Sequence, residues 1–178
     1  MSSGGPASAS DRYPMAPLIR FTLIALYLAL VAPLPWLAPP ELKLALWLAL
    51  PLGLALVLAA TSEAVELNAE GMRVGHPGWC RWLLRRGWSL PWASIRGLTP
   101  VATSQGGRVF YVRSEDGSAF LLPQRVAAFE AFLGRFSQET GLDTSAIGRI
   151  SPPWTYQLLA GLSGTMVLGE IAWGLAQR

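Results

Sequence analysis

The sequence predicts a membrane-anchored α+β protein, and three observations carry this prediction. First, 52% of the 178 residues are hydrophobic and only 14% are charged, which is more apolar than an ordinary soluble domain. Second, the apolar excess lies before Thr61 and after Pro153, whereas nearly all the charge lies between Glu63 and Arg149. Third, this charged middle part alternates short β-rich runs with turn residues and ends in one amphipathic helix pattern.

Two apolar runs near the N-terminus each approach the length of a membrane span. Residues 16–38 carry only Arg20, and residues 42–60 carry only Lys43; a spanning helix needs roughly 20 apolar residues. A signal peptide is disfavoured because the first run is long, lacks a small-residue cleavage site and is followed at once by a second run. A buried hairpin of a soluble protein is the alternative. We expect a transmembrane helical hairpin at residues 16–61, behind a disordered tail at residues 1–15.

The arginines indicate an orientation. Arg12 and Arg20 flank the first run, and ten more arginines follow the second run before residue 151, whereas the hairpin loop holds only Lys43. Because positive residues stay on the cytoplasmic side of a membrane, we expect the N-terminus and a domain at residues 62–150 to be cytoplasmic. The expected bilayer is the inner or plasma membrane, or the thylakoid membrane in a photosynthetic source.

The C-terminal segment, residues 151–178, contains a third apolar run at residues 154–175. It is long enough to span, but Gln157 and Glu170 dilute its apolar character. A third span and an interfacial helix lying along the membrane both remain open. Gly164 and Gly169 follow small residues at helical spacing, a pattern that allows close packing against another helix.

Turn residues organise residues 62–150 into an antiparallel meander. "AVEL" and "GMRVGH" flank a turn that ends at Gly71, and "RVFYVRS" and "SAFLLPQ" flank Glu115-Asp116-Gly117. Asp-Gly between β-rich runs is a strong hairpin signal. A helix follows, since its apolar residues recur at i, i+3, i+4 and i+7 before Gly141. These are Phe129, Phe132, Leu133 and Phe136.

This order of elements resembles the pleckstrin-homology-like (PH-like) domains of small bacterial membrane-anchored proteins. The likeness is carried by "LNAEGMRV" (67–74), "WSLPWASIRGL" (88–98), "GRVFYVRSEDGSAFLLP" (107–123) and the helix at 126–140. It covers under half of the chain and consists of patterns rather than invariant residues. The resemblance implies a small β-barrel closed by one helix. The layout of two N-terminal spans and a compact domain is also similar to a photosystem I assembly protein family, although the third apolar run departs from it.

Few residues have side chains in patterns suited to catalysis or metal binding. Cys80 is the one cysteine and His76 the one histidine, so we expect no disulfide, no metal site and no cofactor. Glu115 and Asp116 are explained by the turn in which they lie. The pattern therefore predicts a protein that is not an enzyme. A net charge of +3 also argues against nucleic acid as a partner.

The segment "GWCRWLLRRGWSLPW" (78–92) holds four of the eight tryptophans. It is interpreted as a strand pair with two compatible roles. Its tryptophans would be core or sheet-face residues, and its arginines would form a basic rim on the opposite face, turned to anionic headgroups or to an acidic partner. The residues expected to bind are Arg73, Arg81, Arg85, Arg86, Arg96, Trp79 and Trp82.

These patterns together predict a non-enzymatic binding or scaffold protein. Its PH-like domain would dock a subunit of a membrane complex or a soluble partner, as an assembly factor does. Recognition of anionic phospholipid headgroups by the arginine rim is the alternative function. The expected partners are membrane lipids and a membrane protein, with no nucleic acid.

Overall fold

The computed structural model describes residues 10–84, 87–104, 106–149 and 153–176. It is an α+β structure with two antiparallel sheets and three long apolar helices. The chain divides into a β-unit, Met1–Pro14 and Glu63–Ile150, and a helical unit, Met15–Ser62 and Ser151–Arg178. The elements in chain order are β1 (Asp11–Pro14), α1 (Pro17–Val31), α2 (Leu34–Leu37), α3 (Pro40–Ala60), β2 (Ala64–Leu67), β3 (Gly71–Gly75), β4 (Trp88–Pro91), β5 (Ile95–Ala102), β6 (Arg108–Ser114), β7 (Ala119–Leu121), α4 (Phe129–Thr140) and α5 (Pro153–Ala176).

The helical unit contains three helical segments that are long and apolar enough to cross a membrane. They are Pro17–Leu37, Pro40–Ala60 and Trp154–Ala176, with mean hydropathies of 1.9, 2.2 and 1.4. This agrees with the two predicted N-terminal spans, and the C-terminal run also has the length that a span requires. Helix α1 packs against α3 and, most extensively, against α5.

Helices α1 and α3 meet at a tyrosine. The Tyr27 hydroxyl donates a 2.7 Å hydrogen bond to the Leu50 carbonyl oxygen. Gly53 makes this possible, because a Cβ atom there would lie 2.3 Å from the Tyr27 oxygen. Helix α3 continues without interruption through Pro51.

Helices α1 and α5 meet at a threonine. Thr22 is fully buried, and its hydroxyl lies 2.7 Å from the Leu18 carbonyl oxygen and 3.3 Å from that of Tyr156. Gly164 and Gly169 do not take part in such contacts, because a Cβ atom at either would meet nothing within 4 Å among the described residues. Packing of these two glycines against another helix stays a prediction.

The first sheet has the order β1-β2-β3-β4 and is antiparallel throughout. Strand β1 lies inside the stretch that we expected to be a disordered tail. It is ordered because it pairs with β2 from Asp11↔Leu67 to Pro14↔Ala64. The Pro14 carbonyl oxygen also accepts a 2.7 Å hydrogen bond from the Ala127 N–H. Four polar or bulky residues have no amphipathic pattern of their own, so only these partners define the strand.

The second sheet has the order β5-β6-β7. The predicted Asp-Gly hairpin joins β6 to β7, with Gly117 at φ 83° and the Ser114 N–H bonded to the Ser118 carbonyl oxygen. Strands β4 and β5 belong to different sheets, because Pro91 and a 3₁₀ turn at Trp92–Ser94 redirect the chain between them. Within the described ranges the pairing therefore forms two sheets and no closed barrel, so the PH-like barrel stays a prediction.

Helix α4 packs on the core of the β-unit. Its four predicted apolar residues are all buried, and Gly141 ends the helix at φ 69° as expected. The helix begins at Phe129 rather than at residue 126, because the Ala127 backbone is bonded to β1. The core comprises Val65, Leu67, Met72, Val74, Leu90, Trp92, Ile95, Phe110, Val112, Leu122, Val126, Phe129, Phe132, Leu133, Phe136 and Ile147.

Candidate functional site

Residues 77–84 form a loop of tight turns and not the first strand of the predicted pair, whereas β4 (Trp88–Pro91) is present within the second. The N–H groups of Cys80 and Arg81 bond to the Pro77 carbonyl oxygen, and those of Leu83 and Leu84 bond to the Cys80 carbonyl oxygen. Because these backbone N–H groups are bonded inside the loop, they do not form ladder hydrogen bonds with a neighbouring strand. Residues 77–84 are called the tryptophan loop below.

The four tryptophans of this region divide into two pairs. Trp92 is buried in the core and donates its indole N–H to the Asn68 carbonyl oxygen, and Trp88 stacks on Phe120 with ring centroids 5.1 Å apart. These two fit the core interpretation. Trp79 and Trp82, in contrast, are 58% and 81% exposed, so for them the core interpretation is wrong.

Cys80 is buried within the tryptophan loop. Its side chain is 1% exposed, and its thiol lies 3.5 Å from the Pro77 carbonyl oxygen. The Trp82 indole N–H bonds to the Trp79 carbonyl oxygen at 3.0 Å. The polar atoms of the loop are therefore largely satisfied inside the loop, and its apolar rings face solvent.

A row of charged side chains crosses the outer face of the four-stranded sheet. Arg12 is paired in register with Glu66, and Glu66 with Arg73. All three are exposed, whereas the neighbouring Val65 and Val74 are buried, because side chains alternate along a strand. Arg12 Nε lies 3.9 Å from Glu66 Oε1. One carboxylate on the middle strand thus lies between guanidinium groups on both neighbouring strands.

This row borders a surface cleft that we call the arginine cleft. It consists of two hollows of about 670 Å³ and about 280 Å³ that share lining residues. Among the described residues, two arginines and no carboxylate line the larger hollow, and three arginines and one carboxylate line the smaller. The cleft therefore has a positive excess. Its main lining residues are Arg12, Glu66, Arg73, His76, Arg81, Trp82 and Trp88.

Of two glycines at the cleft, one allows a close approach of the backbone and the other does not. A Cβ atom on Gly87 would lie 2.2 Å from the Val74 carbonyl oxygen and 2.8 Å from the Gly75 Cα. Gly78 has open space around its Cα, with nothing within 4 Å of an added Cβ among the described residues. Only Gly87 is therefore required to be glycine for β3 and β4 to approach at the cleft.

The imidazole of His76 lies on the wall of both hollows. Its Nδ1 atom is buried and has no hydrogen-bond partner among the described residues. A buried polar ring atom without a partner costs free energy. The cleft wall therefore holds an unused hydrogen-bonding group beside the arginines.

The structure brings together some predicted site residues and separates others. Arg73, Arg81 and Trp82 line the cleft, and Trp79 is exposed on the adjoining loop. Arg96 does not join them, because it lies on the other sheet and is paired with Glu115 at 2.5 Å. The predicted Arg85 and Arg86 lie outside the described residues.

Sequence reasoning missed four cleft residues: Arg12, Glu66, His76 and Trp88. Arg12 and Arg73 are 61 positions apart in the chain, with the apolar hairpin between them. One signal could have found Arg12. The two ends of a transmembrane hairpin emerge on the same side, so residues just before the hairpin can pair with the first strand after it.

Comparisons with known proteins give one named relative. The chain is 43% identical over 155 residues to "Uncharacterized protein slr0269" of Synechocystis sp. (strain ATCC 27184 / PCC 6803 / Kazusa), an alignment that covers 84% of this chain and 78% of the relative. No protein-family model matches the chain. No solved structure matches it significantly. From the length and identity of that alignment, the chain belongs to the same family as the Synechocystis protein slr0269.

Proposed function

We propose that the chain is a membrane-anchored, non-enzymatic docking protein whose arginine cleft holds an acidic surface of a partner protein. The single observation that carries the proposal is the composition of the cleft. Arg73 and Arg81 are exposed beside Trp82, and no carboxylate lines the larger hollow among its described residues. Arginine and tryptophan are the residues most enriched where protein interfaces gain their affinity.

The pairing of β1 with β2 supports a membrane anchor formed by the helices between them. Strand β1 precedes the apolar helices α1 and α3, and strand β2 follows them, yet the two strands are neighbours in one sheet. Such pairing requires both ends of the hairpin to emerge on the same side of a membrane, as an even number of spans provides. The arginine distribution then favours the cytoplasmic side for the β-unit.

The architecture of the β-unit supports a PH-like domain. Within the part of the unit that the structure describes, seven short antiparallel strands in two sheets precede one amphipathic helix, and that helix packs on the core. We propose that this unit serves as a PH-like scaffold. Its partner would be a subunit of a membrane complex or a soluble protein, and holding such a subunit during assembly is the form of docking that the tether favours.

Anionic phospholipid headgroups are the second candidate ligand. The observation in their favour is that, among the described residues, the cleft combines arginines from β1, β3 and the tryptophan loop with one carboxylate. Each basic residue near an anionic surface contributes about 1 kcal/mol. The two candidates differ in what remains bound when the protein is purified.

The test is a purification of the full chain in mild detergent with charge-reversed variants. Arg73→Glu with Arg81→Glu should remove a stoichiometric protein partner identified by mass spectrometry. Arg113→Glu with Arg125→Glu changes the net charge equally on exposed positions outside the cleft and should retain it. Loss of co-purifying anionic lipid instead of a protein would favour headgroup binding. Recovery of wild type without protein or lipid would contradict both.

A further inference from the structure

The tryptophan loop exposes an unusual amount of apolar surface. Trp79, Trp82 and Leu83 are 58%, 81% and 51% exposed, and Arg81 is exposed among them. Cys80 of the same loop is buried, and backbone hydrogen bonds to the Pro77 and Cys80 carbonyl oxygens fix the shape of the loop. Contiguous exposed apolar side chains on a fixed loop mark an interaction surface.

The strand register shows at which end of the sheet this loop lies. Pro14, the last residue of β1, pairs with Ala64, the first residue of β2, and Ala64 pairs with Gly75, the last residue of β3. Val74 in turn pairs with Trp88, the first residue of β4. The loop between β3 and β4 therefore lies at the end of the sheet where the chain leaves β1 for the apolar helices and returns from them to β2.

We infer that the tryptophan loop inserts into the headgroup layer of the bilayer in which the chain is anchored. The inference rests on the anchoring part of the proposed function. It is carried by Trp79 and Leu83, which do not line either hollow, and not by Arg81 and Trp82, which line the larger one. The loop would provide the β-unit with a membrane contact in addition to its three covalent connections to the helical unit.

The chemistry of the loop favours a bilayer over a protein partner. Indole rings prefer the boundary between headgroups and hydrocarbon, where an apolar ring and a polar N–H are both accommodated. The covalent tether at the same end of the sheet keeps the loop at a high effective concentration near the membrane.

Spin labels in the full chain reconstituted in anionic vesicles test the inference. In a Cys80→Ala background, single cysteines are introduced as Leu83→Cys in the loop, Leu48→Cys in α3 and Glu130→Cys on the exposed side of α4. Collisions with oxygen report on lipid, and collisions with a water-soluble nickel chelate report on solvent. We expect a several-fold higher oxygen-to-nickel ratio at Leu83 than at Glu130, and the highest ratio at Leu48.

The outcomes distinguish a failure of loop insertion from a failure of the membrane anchor. A lipid-like ratio at Leu48 with a water-like ratio at Leu83 overturns loop insertion alone, and water-like ratios at both overturn the anchor as well. Shielding of Leu83 from both reagents overturns insertion, because it indicates a protein contact.

A second experiment applies if the Cys80→Ala background fails to fold. With Cys80 retained, Trp79→Phe should reduce the quenching of tryptophan fluorescence by brominated lipids, whereas Trp88→Phe should not. Equal quenching in wild type and Trp79→Phe overturns the inference.

Discussion

The Tyr27 hydroxyl donates its hydrogen bond to the Leu50 carbonyl oxygen across the space that Gly53 leaves open. A Cβ atom on Gly53 would lie 2.3 Å from the Tyr27 oxygen and 2.9 Å from its ring. We therefore expect Gly53→Ala to displace the tyrosine and to lower the free energy of unfolding in detergent micelles by about 1–3 kcal/mol.

A double-mutant cycle isolates this contact. Tyr27→Leu shortens the side chain, so adding Gly53→Ala to it should cost less than Gly53→Ala costs in wild type. Equal costs in both backgrounds would mean that the glycine acts through something other than Tyr27. Gly161→Ala in α5, where an added Cβ meets nothing within 4 Å among the described residues, is the control.

Gly87 provides the second prediction, which concerns the shape of the cleft. Gly87→Ala should force β3 and β4 apart, because its Cβ would meet the backbone of Val74 and Gly75. We expect a loss of about 1–3 kcal/mol in unfolding free energy together with weaker partner binding. Gly78→Ala, in the tryptophan loop, should leave the free energy of unfolding unchanged, because an added Cβ meets nothing within 4 Å among the described residues. Comparable losses in the two variants would contradict the close-approach argument.

The third prediction concerns the contribution of β1 to stability. The Tyr13 ring lies 5.6 Å from that of Phe132 and packs on the core. Tyr13→Ala should lower the unfolding free energy by about 1–3 kcal/mol, less than a fully buried aromatic residue because Tyr13 is half-buried. Arg12→Ala removes only an exposed ion pair and should cost under about 1 kcal/mol. Chemical unfolding of the full chain measures both, and a neutral Tyr13→Ala would show that β1 is not needed.

The raised pKa of Tyr13 predicts a loss of stability at alkaline pH. Burial raises the pKa of its phenol, nearby Asp11 raises it further, and Arg135 opposes them. A raised pKa in the folded state means that folding favours the neutral phenol. The stabilising effect is therefore complete below the unfolded pKa, near 10, and is lost as the pH rises through the folded pKa. In Tyr13→Phe the fall of unfolding free energy above about pH 10 should be smaller than in wild type; an unchanged fall would contradict the assignment.

Patterns local in the chain were sufficient for much of the fold. The Asp-Gly turn after Glu115, the turn ending at Gly71 and the apolar stripe from Phe129 to Phe136 each depend on residues within one or two turns of one another. All three appear in the structure as predicted. The apolar runs likewise predict helices of spanning length from composition alone.

The candidate site was predicted only in part, because its residues come from distant parts of the chain. Arg81 and Trp82 were recognised from one arginine- and tryptophan-rich segment, and Arg73 from its nearness to that segment in sequence. Arg12 was missed as a cleft residue because its strand is defined by pairing across the apolar hairpin. Arg96 was predicted to belong to the basic rim because it is near the other arginines in sequence. Its strand, however, belongs to the three-stranded sheet.

The sequence by itself determined the apolar helices, the hairpins and the amphipathic helix, since short-range periodicity and turn chemistry specify them. Only the tertiary structure decided that β1 completes a sheet, that Arg12 joins Arg73 at one cleft, and that Trp79 and Trp82 are exposed while Trp92 is buried. These facts depend on which distant segments occupy each face of a strand or loop. The same tryptophan is stable in a core or at a membrane boundary, so its residue type alone does not specify which.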